Sequence, residues 1–121
     1  MPTSRCIILA GLDAQSQSVV ESCVPNHQCK LTEVDLESVN EPPEQVDLVV
    51  FAATDDLLQT QDLCAAMRSR FGRNVPLLAC VGRYVYPTIR PLIGTDLQAV
   101  IMTPFDANEL RSELDQLELR F

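Results

Sequence analysis

Leu48-Val49-Val50-Phe51-Ala52-Ala53 is an apolar run unbroken by any polar residue. A strand with one wet face alternates apolar and polar residues. A continuous run rich in Val and Phe instead predicts a strand covered on both faces, as in a parallel sheet between two helix layers. Thr54, Asp55 and Asp56 follow as helix-capping residues. Leu63, Cys64, Met67 and Phe71 then fall on one side of a helix, and Gly72 stands where a left-handed C-terminal cap would close it.

The same alternation extends outward in both directions. Upstream, Cys6-Ile7-Ile8-Leu9-Ala10 is a second continuous run, ended by Gly11. Asp13 is the N-cap candidate for a helix bearing Val19, Val20, Cys23 and Val24 on one stripe, and Pro25-Asn26 stops it. Ser16 in place of Glu or Gln leaves the capping box incomplete. Lys30 to Val34 reads as another strand. Pro42-Pro43 in the acidic stretch Asp35 to Gln45 leaves room for a short turn of helix or none.

Downstream, Val75 to Val81 is a strand ended by Gly82. Tyr84, Val85, Ile89, Leu92 and Ile93 face inward from a helix that Pro91 kinks, shortens or displaces. Ala99-Val100-Ile101-Met102 is the fifth strand. Asp106, with Glu109 three residues on, opens a last helix carrying Leu110, Leu114, Leu117 and Phe121 at helical spacing. Short apolar strands alternating with amphipathic helices predict an α/β domain built on a parallel sheet.

Composition agrees with one such domain. The 121 residues are 46% hydrophobic and 21% charged, with no Trp, so the core is aliphatic. No apolar run approaches the ~20 residues needed to span a membrane, and the first residues lead straight into a strand, so the chain reads as cytoplasmic. The net charge of −8 repels phosphate backbones and argues against direct nucleic-acid binding. Arg68, Arg70, Arg73 and Arg83 read as a solvated helix end. The five cysteines form no C-x-x-C pair and His27 is the one histidine, which leaves no zinc pattern and suits buried, reduced thiols. Cys23 and Cys29 are close enough in sequence to meet across one turn, but nothing near them would depress a thiol pKa.

Three stretches carry a resemblance to a family. Thr103-Pro104-Phe105 closes the fifth strand before an N-capped helix. Val46-Asp47-Leu48-Val49-Val50-Phe51-Ala52 and Val75-Pro76-Leu77-Leu78-Ala79-Cys80-Val81-Gly82 form the third and fourth strands. Together they resemble the CheY-like receiver domains of two-component response regulators, over nearly the whole chain. The resemblance implies a flavodoxin-like three-layer sandwich whose five parallel strands run in the order 2-1-3-4-5, with the second helix short or absent. It also implies a cis bond before Pro104.

Receiver chemistry needs an Asp nucleophile, a divalent cation held by carboxylates, a Lys and a switch hydroxyl. Laid on this sequence, the phosphoacceptor position is Ala52, the acidic pair is Gly11-Leu12, the switch hydroxyl is Val81 and the lysine is Thr103. Positions 81 and 103 keep the family's usual separation. The resemblance therefore implies a degenerate receiver with no metal and no cofactor. Asp55 and Asp56 come too late to enter the third strand and read as caps. A register slip of one would bring Asp13 into the acidic pair.

The expected function is a phosphorylation-independent interaction module in signal transduction, with no catalytic activity. Its partner is a protein or a second copy, held on the face of the fourth helix, fifth strand and fifth helix. Tyr84, Tyr86, Arg90 and Arg111 are the candidate contacts, of residue types favoured at interfaces. One alternative is a working receiver with a rearranged acidic site. The other is a flavodoxin-like small-ligand domain, for which a chain with four glycines supplies no Gly-rich phosphate loop. The helix running to Phe121 has no stop signal, which fits either a natural end or a domain cut from a longer protein.

Overall fold

The continuous apolar runs become strands because each alternate side chain has a different helix layer to enter. The computed structural model describes residues 5–24, 29–34 and 46–117. Five strands, β1 (Arg5–Ala10), β2 (Cys29–Val34), β3 (Leu48–Ala52), β4 (Leu77–Val81) and β5 (Ala99–Met102), form one parallel sheet in the order β2-β1-β3-β4-β5. The helices are α1 (Ala14–Cys23), α2 (Leu57–Phe71), α3 (Tyr86–Ile89) and α4 (Ala107–Gln116), with a 3₁₀ turn Arg90–Leu92 directly after α3.

Alternation divides the core in two. Ile8, Ala10, Val49, Phe51, Leu77, Ala79, Val81 and Val100 pack with Cys64, Met67 and Phe71 of α2 and with Ile89 and Leu92 of the α3 segment. Ile7, Leu9, Leu48, Val50, Leu78, Cys80, Ala99 and Ile101 pack on the other side with Val20, Val24, Leu110 and Leu114 of the α1 and α4 layer. The sheet is thus the filling of a three-layer sandwich, and the apolar stripes expected on α1, α2 and α4 face it.

Caps fix where the helices begin. Asp13, Asp56 and Asp106 each accept a bond from the backbone N–H three residues on, at 2.6 Å from Ser16, 3.0 Å from Gln59 and 2.8 Å from Glu109. At the opposite end of the sheet, Asp47 extends the β1–β3 ladder. Its N–H donates to the Cys6 carbonyl at 2.8 Å, and its carboxylate accepts from the Cys6 N–H at 2.9 Å.

Several boundaries differ from the sequence reading. β2 begins at Cys29 instead of Lys30, and β3 ends at Ala52, although the Ala53 N–H still donates to the Cys80 carbonyl at 3.0 Å. β4 begins at Leu77 instead of Val75: Pro76 has no N–H for the ladder, and the Val75 N–H turns back to the Gly72 carbonyl. Gly72 has φ 125° and ψ 143°, so it is not the left-handed cap expected. It uses a region open mainly to glycine to pass from helix into extended chain.

The α3 segment is shortened, as Pro91 requires, but it does not bury all the residues assigned to it. The Val85 and Tyr86 N–H groups both bond the Gly82 carbonyl in a tight turn, so the helix starts only at Tyr86. Ile89 and Leu92 are buried, Val85 and Tyr86 are half-buried, and Tyr84 and Ile93 point outward with 91% and 41% of their surface exposed. The expectation that Tyr84 and Ile93 face inward is therefore corrected. Pro25-Asn26, the segment from Asp35 to Gln45 and the chain end at Phe121 lie outside the described residues. Among the described residues, no helix is long and apolar enough to cross a membrane.

Candidate functional site

Parallel strands in close register bring their carboxyl ends to one edge. Ala10 pairs with Phe51, Ala52 with Cys80 and Val81 with Met102, so the chain leaves the sheet four times in a row along that edge. Gly11 (φ 69°) turns the chain out of β1. Leu12 is half-buried against the α1 and α4 core, and Asp13 is exposed. Ala52 and Ala53 are half-buried at the end of β3, and Asp55 and Asp56 are exposed beyond them. Val81 is buried at the end of β4.

After β5, the Thr103 N–H donates to the Val81 carbonyl at 2.7 Å, and its hydroxyl donates to the same oxygen at 3.3 Å. The Thr103–Pro104 peptide bond is cis, as the resemblance implied, and it sends Phe105 into the core beneath α4.

The Thr54, Thr60 and Thr103 hydroxyls and the Asp13 and Asp56 carboxylates near this edge make local bonds. Thr60, fully buried in α2, donates to the Thr54 carbonyl at 3.3 Å, and its oxygen lies 3.3 Å from the Thr54 hydroxyl. The sequence reading missed this pair, because a Thr inside an amphipathic helix carries no signal until its neighbour across the turn is known. The Ser16 bonds hold the Asp13 carboxyl below its ordinary range. Among the described residues, no group of three or more His, Cys, Asp and Glu side chains is placed to hold a metal ion.

The thiols are not activated. Burial, with the Asp13 charge adding to it, pushes Cys80 up to about 12, and burial with Asp96 pushes Cys64 up to about 11. Both stay protonated at neutral pH. Cys23 is half-buried, with its sulfur 3.5 Å from the Ala107 carbonyl. The side chain of Cys29, its suggested neighbour, lies outside the described residues.

No family model matches the sequence, and no curated protein matches it. Solved structures do. A CheY-like response regulator protein from Mesorhizobium loti superposes with a TM-score of 0.68 at 15% identity, covering 94% of this chain and 98% of that one. The pilus assembly protein CpaE from Caulobacter crescentus gives 0.69 at 13%, covering 93% and 98%. The receiver domain of a sensor histidine kinase from Pseudomonas aeruginosa, described with magnesium in its active site cleft, gives 0.60 at 16%, covering 94% and 97%.

The chain has the CheY-like receiver fold. On this receiver fold, the positions singled out from sequence divide into two groups. Gly11, Leu12, Ala52, Val81, Thr103 and Pro104 share the carboxyl edge of the sheet. The candidate contacts are more scattered. Tyr84 lies in the turn after β4, Tyr86 opens α3 and is half-buried against the core, and Arg90 follows α3, exposed. Arg111 is exposed on α4. The basic cluster is likewise divided. Arg68 and Arg70 end α2, where Arg68 bonds the Gln98 side chain at 2.9 Å and the Arg73 carbonyl at 3.3 Å, while Arg83 stands at the opposite end of the sheet.

Proposed function

We propose that this chain is a receiver-like signalling module that acts by holding a protein partner and carries out no phosphoryl transfer. The observation that carries the reading is Ala52 at the end of β3. A methyl group offers no oxygen to attack phosphorus, and the reaction requires a carboxylate there. The neighbouring positions support the same conclusion. Val81 has no hydroxyl, and the Thr103 hydroxyl has no positive charge and turns to the Val81 carbonyl. A hard cation needs oxygen ligands, and the carboxylates of Asp13 and Asp56 beside the tips of β1 and β3 cap helices.

On this reading the fold is retained as a rigid scaffold for contacts. The face of α3, β5 and α4, with Tyr86, Arg90 and Arg111, is the surface on which a cytoplasmic protein partner or a second copy would bind. A net charge of −8 keeps nucleic acid away from the domain.

The test is incubation with acetyl phosphate and Mg²⁺ beside a competent receiver, followed by intact-mass spectrometry. The control gains a phosphoryl group and this chain does not. A phosphoryl adduct on an Asp of this chain refutes the reading.

A further inference from the structure

The turn after β4, α3 and the 3₁₀ turn run on as one helical stretch over residues 83–92. The Gly82 carbonyl accepts from the Val85 and Tyr86 N–H groups, the Val85 carbonyl from Thr88 and Ile89, and the Tyr86 carbonyl from Arg90. Burial along the stretch follows the helical period. Ile89 and Leu92 are buried and Val85 and Tyr86 half-buried, whereas Arg83, Tyr84, Pro87 and Arg90 are exposed. Positions 85, 86, 89 and 92 share one side of a helix, and 83, 84, 87 and 90 share the other. The outward side therefore carries Arg83 and Arg90 in line, seven residues and about 10 Å of helical rise apart. Pro87 lies between them, its fixed φ stiffening the backbone, and Tyr84 stands beside them with 91% of its surface exposed.

Charge defines the occupant, because this side reverses the sign of the molecule. The chain has nine Lys and Arg against seventeen Asp and Glu, yet residues 82–93 hold two Arg and no acid. Arg68 is tied to Gln98 and the Arg73 carbonyl, but among the described residues no hydrogen bond or ion pair engages the Arg83 or Arg90 guanidinium. A guanidinium takes a carboxylate in a bidentate pair, and Arg and Tyr are favoured contact residues. Two copies paired about a twofold axis through this side would set Arg against Arg and be repelled. The acidic remainder of the surface rejects a negative segment, which confines such a partner to this one side. We propose that the outward side of residues 83–90 docks an acidic, amphipathic protein helix. Its carboxylates, two turns apart, pair with Arg83 and Arg90, and its apolar side chains rest on Tyr84. The inference rests on the reading that the domain works by holding a protein partner, and it names that partner's chemistry.

The test is fluorescence anisotropy with a labelled helical Leu/Glu peptide, its Glu residues seven apart, and its Leu/Lys counterpart. The Leu/Glu peptide binds and the Leu/Lys peptide does not. Arg83→Glu, Arg90→Glu and Tyr84→Ser, all at exposed positions, each weaken binding by about tenfold or more, as expected for anchors at a contact. Arg70→Glu, the same change of charge at the exposed end of α2, changes nothing. The inference is overturned if the Leu/Glu peptide fails to bind, if both peptides bind equally, or if Arg83→Glu and Arg90→Glu weaken binding no more than Arg70→Glu does. Self-association abolished by Arg83→Glu or Arg90→Glu would assign the surface to a second copy and overturn it as well. A phosphoryl adduct would defeat the earlier reading whatever the peptides do, whereas peptide failure without an adduct defeats this inference alone.

Discussion

Replacing Asp13 separates its two candidate roles, because a lost cap costs stability with or without Mg²⁺, whereas a lost metal ligand costs it only when Mg²⁺ is present. In the structure its carboxylate accepts from the Ser16 N–H at 2.6 Å at the start of the ten-residue α1. Losing such a cap costs about 1 kcal/mol, within a range of roughly 0.5–2. A chain of this length unfolds with an entropy of ~0.25 kcal/mol/K, so Asp13→Ala lowers Tm by about 4 °C. Asp13→Asn and Asp13→Ser, which still cap, stay within about 2 °C of the parent.

The pH dependence follows from the direction of the Asp13 shift. The Ser16 bonds lower the folded-state value below the ordinary 3.8, so the charged cap stabilises fully above that value. Its contribution fades as pH falls through the lower, folded-state value. The gap between parent and Asp13→Ala therefore narrows in acid, while the Asn variant shows no such change. The assay is thermal unfolding followed by circular dichroism, with and without Mg²⁺. A ligand role predicts instead a loss that depends on Mg²⁺. Mg²⁺ at a hundredfold excess over its Kd would add ~2.7 kcal/mol, about 11 °C here, and Asp13→Ala would erase that gain. A large Mg²⁺ stabilisation lost in Asp13→Ala would refute the capping argument.

Three further outcomes are expected. Ile89→Ala empties a fully buried site between the α3 segment and the sheet, and urea unfolding should show a loss of about 3 kcal/mol; a loss below about 1 would mean the segment is loosely packed. Gln98→Ala strands the Leu77 N–H and one Arg68 nitrogen, both of which bond its side-chain oxygen at 2.8 and 2.9 Å. It should cost about 1–3 kcal/mol, and Gln98→Glu, which keeps the acceptor, should cost less. Cys64 and Cys80, raised to about 11 and 12, should react with Ellman's reagent at about pH 8 only on unfolding, whereas half-buried Cys23 reacts in the native state. Fast native labelling of Cys80 would contradict its burial.

Element boundaries were legible in sequence where the determinant is local. Asp13, Asp56 and Asp106 announce helix starts because a cap needs only its own next three residues. The shortening of α3 could be read from Pro91, which cannot fill an interior helix position. The resemblance, rather than any period in the residues, supplied the strand order. Tyr84 was misplaced because spacing alone could not tell that the Gly82 carbonyl would be taken by the turn at Val85 and Tyr86.

By itself the sequence determined that strands and helices alternate, that the strands are covered on both faces, and that Ala52, Val81 and Thr103 close them without acid or lysine. Tertiary structure alone decided which layer each side chain enters, that Thr54 meets Thr60, and that Tyr84 is left exposed. Local propensity and capping act over a few residues, so they can be read along the chain. Layer, edge and exposure depend on strand pairing between residues far apart in sequence, and they exist only once the sheet has formed.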